Sequence, residues 1–320
     1  MGSANPDSPR ERRRRVGGGR RHGRKRRPAR SGGVRVGDRR SHGGLTVFWL
    51  GAPAAPEPFP IATLDEALAK GGFFVTERDQ AAVSTLVVEN RGPVHVLLLA
   101  GEILQGGKQN RIVVTDVLVP PRSGPLSLPV YCVEQGRWHG AGNQFITRQT
   151  LAAPRLREQM LAGSDQQKVW AEVNRYAERA AAPSATASYQ AIPDKPEVQA
   201  KQKDVESALG GKIPPGAQGA AVFVGDALAG IDLFQDDSLF AREWSKLLHA
   251  STIDAYGRRI ADSEEGRLRA TLDEILKLAA GADGAVRRGV GAGWLVELSM
   301  SRAKGSALVA ERQVVHLAMI

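Results

Sequence analysis

Six consecutive residues, Gly106-Gly107-Lys108-Gln109-Asn110-Arg111, set backbone freedom beside two cations and two amides. Glycines let amide N–H groups converge on an anion, while Lys108 adds a point charge and Arg111 a forked donor. The plainer alternative is a solvated hairpin loop whose glycines serve turn geometry. A second group follows in PVYCVEQGRWH, residues 129–139. Here Trp138 offers a stacking wall, Arg137 an anion contact and Glu134 an acid or base. The alternative is an internal Glu134–Arg137 ion pair under a packed Trp138. If the two strand ends converge, Lys108, Arg111 and Arg137 meet a phosphate-bearing small molecule, and Glu102 or Glu134 transfers a proton.

Other chemistry-bearing residues are less pointed. The loop is not a Walker loop, because Glu102 stands where its first glycine belongs and Gln109 where Ser or Thr would follow the lysine. Gly289, Gly291 and Gly293 miss the dinucleotide fingerprint, since Trp294 takes the last glycine position. Cys132 is expected inside a strand as a buried thiol; a nucleophile would want His139 nearby. The six histidines are scattered with no pair at metal-ligand spacing, so no metal and no particular cofactor is indicated. Of the clustered Asp226, Asp232, Asp236 and Asp237, three suit turn and N-cap work. Asp232 sits mid-strand and is read as structural.

The elements that must hold these groups read as an α+β arrangement, with a β-rich antiparallel N-terminal half and a C-terminal half of helices and hairpins. Residues 64–69 form a short helix ended by Gly71-Gly72. Residues 84–89 and 94–100 flank Asn90-Arg91-Gly92-Pro93 and read as a hairpin within a strand-rich stretch that starts at Val83. Residues 112–119 and 128–133 continue the strands. Val169, Trp170, Val173, Ala177 and Ala180 recur at helical spacing, and residues 183–196 read as a loop. Residues 221–224 and 228–234 form a second hairpin running into Asp236-Asp237-Ser238, N-cap residues for a helix that buries Phe240, Trp244, Leu247 and Leu248. A further helix begins at Asp262 and buries Leu268, Leu272, Ile275 and Leu276; three strands close the chain.

Charge divides the chain sharply. Of its 44 Lys+Arg and 34 Asp+Glu, residues 1–44 hold 15 bases and three acids, leaving 29 bases against 31 acids beyond. The basicity belongs to an arginine- and glycine-rich leader that cannot bury surface and is expected to be disordered. Residues 45–320 are then one globular domain. Residues 10–40 could hold nucleic acid nonspecifically in a salt-sensitive way, dock a partner, or be translated upstream sequence from a mis-assigned start. A single cysteine, no long apolar run and no signal-peptide h-region point to a cytoplasmic protein without a membrane segment.

GEILQGGKQNRIVV (residues 101–114), DVLVPP (116–121), PVYCVEQGRW (129–138) and AVFVGDALAGIDLF (221–234) resemble a prokaryotic family, the ARG and Rhodanese-Phosphatase-superfamily-associated protein domain. The likeness runs over residues 45–320 and leaves the leader outside. Its name records association with ADP-ribosylglycohydrolases and with rhodanese or phosphatase proteins, which implies a place in the handling of ADP-ribose or related NAD-derived compounds. The resemblance implies no catalytic residue. Enzyme and ligand-binding accessory both fit, and a non-catalytic protein-interaction module using loop 105–111 is the rival reading.

Overall fold

In the computed structural model the described residues are 1, 33–53, 57–78, 84–140, 142–258, 260, 264–281, 284–301 and 303–320. Along the chain, β1 (Arg35–His42) and β2 (Leu45–Gly51) lead to β3 (Ile61–Thr63), α1 (Leu64–Lys70), β4 (Phe73–Glu77) and β5 (Thr85–Asn90). Then come β6 (His95–Leu98), β7 (Ile103–Gly106), β8 (Arg111–Val113), β9 (Val117–Val119), β10 (Ser123–Cys132) and β11 (Phe145–Ile146). Helices α2 (Pro154–Leu161), α3 (Gln166–Ala180) and α4 (Pro196–Val205) precede β12 (Gly219–Val224), β13 (Ala227–Phe234), α5 (Asp237–Ala255) and α6 (Glu265–Gly281). Strands β14 (Ala285–Arg288), β15 (Trp294–Ser299), β16 (Lys304–Ala310) and β17 (Gln313–Met319) complete an α+β fold.

These strands make three sheets. The largest runs β1-β2-β12-β13-β17-β16-β15-β14 and is antiparallel throughout. Its central strands are buried on both faces, and period-two alternation splits their side chains. Leu45, Val47 and Trp49 of β2 join the core around Phe240 and Trp244 of α5. Phe48 and Leu50 point the other way, into the core that receives Leu268, Leu272 and Ile275 of α6. The six-stranded sheet, β11-β7-β8-β10-β5-β4, places Leu104, Val113 and Val130 in one core and Ile103 and Ile112 in another against α2 and α3. Between them lies a three-stranded sheet, β3-β6-β9, with β3 and β6 parallel. Leu97 and Leu118 face the α5 core while Val96, Leu98 and Val117 face the six-stranded sheet, so this small sheet is the seam of the molecule.

Local chemistry explains several boundaries. Thr63 and Glu66 form a reciprocal capping box at α1, with Oγ1 accepting from the Glu66 amide at 3.2 Å and the Glu66 carboxylate accepting from the Thr63 amide at 3.0 Å. Asp236 caps α5 by accepting from the Leu239 amide at 2.7 Å.

Four expectations need correction. Residues 35–42 are not part of a disordered leader: they form edge strand β1, tied to α6 through Arg39–Glu265 at 2.7 Å and to α4 through His42 and Asp204 at 2.9 Å. Residues 2–32, and with them most of the 10–40 segment expected to hold nucleic acid, lie outside the described residues, as do Val83 and Asp262. Residues 84–89 and 94–100 do not pair with each other. Asn90 turns the chain out of the six-stranded sheet by donating to the carbonyls of Val94 and Pro120, and β6 pairs with β3 and β9 instead. Residues 112–119 are two strands, parted where Asp116 turns inward. Residues 183–196 carry a short 3-10 turn at Tyr189–Ala191, and α4 follows them.

The Asp236 cap gives a direct stability test. Asp236→Ala should cost about 1 kcal/mol, the usual cost of losing an N-cap side chain. In a domain of this size that lowers Tm by about 2–4 °C, read by circular dichroism.

Candidate functional site

The turn after β6 gathers two groups of buried charge. The Leu99 amide donates to Glu102 Oε2 at 3.0 Å and the Ala100 amide to Asp116 Oδ1 at 2.8 Å, while the Ala100 carbonyl accepts from Arg157 Nε at 3.2 Å. Gly101 has φ +98°, and a Cβ there would lie 2.5 Å from Arg157 Cγ, so glycine is required by both conformation and space.

Two ion clusters grow from this turn. Lys246 of α5 pairs with Glu102, with Asp65 of α1 at 2.7 Å and with Glu243 at 2.9 Å, the last without hydrogen-bond geometry. The oxygens of Asp65, Glu102 and Glu243 lie within 4.8 Å of one another, a spacing suited to a cation, and the cation among them is the Lys246 ammonium. Burial raises the Glu102 carboxyl to about 8; Lys246 opposes this, and Glu243 and Asp65 reinforce it. In the second cluster His316, fully buried, lies between Asp116 (2.6 Å) and Asp232 (3.1 Å), and Arg157 binds Asp232 through both terminal nitrogens. Burial works against the imidazolium, but the two carboxylates outweigh it and bring His316 to about 9. Burial likewise opposes ionisation of Asp232, and Arg157 with His316 hold its carboxyl far below the usual range.

The polar loop is wired onto itself. Arg137 donates to the carbonyls of Gly107 (2.8 Å) and Gly106 (3.3 Å) and to Asn110 Oδ1 (3.0 Å), and pairs with Glu134. Glu134 also accepts from the Asn110 amide at 3.0 Å and from Thr186 at 2.7 Å; burial raises its carboxyl, but these partners outweigh it and lower it. Gln109, wholly buried, donates to the Glu134 carbonyl and accepts from Arg111, whose guanidinium lies 3.8 Å from Glu77. The structure thus brings Gly106, Gly107, Gln109, Asn110, Arg111, Glu134 and Arg137 together, with the donors of both arginines turned inward. Lys108 and Trp138 are exposed at the rim. Glu102 serves the separate Lys246 cluster. Cys132 is buried, and burial pushes its thiol up, which removes it as a nucleophile.

A cleft of about 350 Å³ lies beside the first cluster. Residues 147–151 are the shared wall: Thr147 donates to Asp65 at 2.6 Å, Leu151 bridges to Glu102 in antiparallel fashion, and Arg148, Gln149 and Thr150 line the cleft. Gln149 holds φ +57°, a strained conformation for a residue with a Cβ. Opposite stand Gln190 and Asp194 from the end of the 183–196 segment, Gln199 and Gln202 of α4, and His249 of α5. Gln190 Oε1 is buried and has no hydrogen-bond partner. Buried His249 Nε2 lies 3.3 Å from Glu206 without hydrogen-bond geometry, and burial lowers the imidazole below its ordinary value, Glu206 opposing. None of these cleft residues was singled out from the sequence. They come from four segments with no shared motif, and the one local signal is Asp194 directly after Pro193, with Gln190 three residues before that proline.

Glu102 and His316 bind their protons more tightly in the folded state than in the unfolded one, so stability falls as pH rises through their window. The His316 contribution is complete below about 6.5 and lost through about 9; that of Glu102 is complete below about 4.5 and lost through about 8. Urea unfolding between about pH 5 and pH 9 should therefore show stability dropping by at least about 1 kcal/mol. Glu102→Gln should flatten part of that slope, and a pH-independent midpoint would contradict the assignment.

No helix is long and apolar enough to cross a membrane among the described residues. No curated protein and no solved structure matched the chain. A family model, the ARG and Rhodanese-Phosphatase-superfamily-associated Protein domain, matches residues 33–320, beginning two residues before β1 and taking in both ion clusters, the braced loop and the cleft. The chain belongs to that family.

Proposed function

We propose that the protein binds a small polar metabolite in the cleft behind residues 147–151, as an enzyme or an accessory for ADP-ribose-related compounds. The observation that carries this reading is Gln190, which lines a cleft of about 350 Å³ and whose buried Oε1 has no hydrogen-bond partner. A buried polar group left unmet costs about 1–3 kcal/mol, so a ligand donor that reaches it gains that back. Arg148 adds a guanidinium whose side chain is 55% exposed, leaving donors open beyond the one spent on Asp194. The ADP-ribose class enters from the family's name, which records the company its members keep. An anion approaching loop 105–111 instead would meet Lys108, because the arginines there are already engaged.

A second reading has one feature in its favour. Trp138, 52% exposed, stands beside the rigid loop and suits docking of a partner protein through Trp138 and Lys108.

Differential scanning fluorimetry with millimolar ADP-ribose tests the first reading. A ligand at a hundred times its Kd stabilises by about 2.7 kcal/mol, a Tm rise of several degrees. Arg148→Ala and Gln190→Leu each give up one hydrogen bond to Asp194, about 1 kcal/mol, so their unliganded Tm should fall by no more than about 4 °C while most of the ligand-induced rise is lost. No response in the wild type, or an equal response in both variants, would remove the cleft as the site.

A further inference from the structure

The polar atoms of the cleft carry little net charge. Arg148 and Asp194 face each other at 3.0 Å, and burial lowers the His249 imidazole below its ordinary value, so an anionic group finds one cation already balanced. What remains is an unusual local set of acceptors next to a donor. The Gln190 amide has a defined orientation, because its Nε2 donates to Asp194 Oδ1 at 3.0 Å; the free end is therefore the carbonyl oxygen. Asp194 uses one lone pair on each oxygen, one toward Gln190 and one toward Arg148, and its side chain is 43% exposed, leaving acceptor capacity facing solvent. Arg148 supplies donors immediately beside those acceptors.

A group that donates from one atom and both donates and accepts from the next satisfies this set, and a pair of neighbouring hydroxyls does so with the least reach. Leu151, Pro193, Ala250 and Ile253 add a small apolar patch to the mostly polar lining, against which C–H groups of a saturated ring can rest. No Phe, Tyr or Trp is among the described residues that line it, so a nucleobase would find no stacking partner.

We infer that the cleft recognises a sugar ring through vicinal hydroxyls, with Asp194 and Gln190 Oε1 as acceptors and Arg148 as donor. The inference rests on the cleft being the ligand site. The ring belongs either to a free pentose or pentose phosphate, or to the terminal ribose of a larger ADP-ribose-type molecule, and both present the same hydroxyl pair.

Isothermal titration of the full chain with ribose 5-phosphate, 2-deoxyribose 5-phosphate, ADP-ribose and inorganic phosphate separates these cases. Ribose 5-phosphate or ADP-ribose should bind, with the 2-deoxy sugar at least about tenfold weaker than ribose 5-phosphate, one charged hydrogen bond's worth. If ADP-ribose binds more tightly than the pentose phosphates, excess ribose 5-phosphate should displace it and 2-deoxyribose 5-phosphate should not. Asp194→Asn should weaken the hydroxylated sugar about tenfold and leave the 2-deoxy sugar unchanged, a comparison that a merely structural Asp194 would not produce. Equal binding of the two pentose phosphates, or displacement by inorganic phosphate, would overturn hydroxyl recognition while leaving the cleft as a binding site. Absence of binding by every sugar, together with an ADP-ribose response insensitive to Gln190→Leu, would overturn both readings.

Discussion

Between β6 and β7 the chain reverses in the interior, and its exposed-in-principle amides end on carboxylates that are themselves out of water. Leu99 and Ala100 donate to Glu102 and Asp116, and the Ala100 carbonyl takes Arg157. Buried carboxylates demand buried cations, which α5 supplies as Lys246, α2 as Arg157 and β17 as His316. Segments as distant as Asp65 and His316 therefore converge on one turn. Such ion groups are weak evidence for net stability, since their desolvation nearly cancels their attraction. Their effect is on arrangement: any mispacking leaves an unpaired charge in the core, so the seam between the two large sheets has one permitted assembly.

That constraint also shapes the surface. Residues 147–151 are held by Asp65 on one side and Glu102 on the other, and the same stretch presents Arg148, Gln149 and Thr150 to the cleft. The cleft wall is thus backed by a rigid charged layer while its opposite side comes from the end of the 183–196 segment, α4 and α5. At the far end of β7 the polar loop follows the opposite plan, with Arg111 and Arg137 turned onto carbonyls of the loop while Lys108 faces solvent. The two concentrations of polar residues differ in how open they are: the loop closes its carbonyls and carboxylates onto its own arginines, whereas the cleft keeps polar side chains around a cavity.

The β12–β13 hairpin, the Asp236 cap, the apolar stripe of α3 and the buried set of α6 were all legible, because each depends on residues within one or two turns or strand lengths. Glu134 and Arg137 pair directly and Arg111 reaches them through Gln109, because β8 and β10 lie in register beside that strand end. Glu102 was expected with them and instead faces α5, because its turn inverts the chain relative to β7. The strand partner of β6 was not legible either. Alternation states which residues are buried, and it is silent on which strand lies alongside.

The chain by itself determined the α+β class, the bounds of α1, of the β12–β13 hairpin and of the closing strands to within a few residues, and the family, because propensity, capping and period are local and the signature strings are contiguous. Tertiary structure alone decided which charges neutralise one another, that β1 is a strand, and where a cavity keeps an unsatisfied amide. Those outcomes depend on desolvation, and how much water a side chain loses is set by neighbours that lie up to two hundred positions away, as His316 does from Asp116.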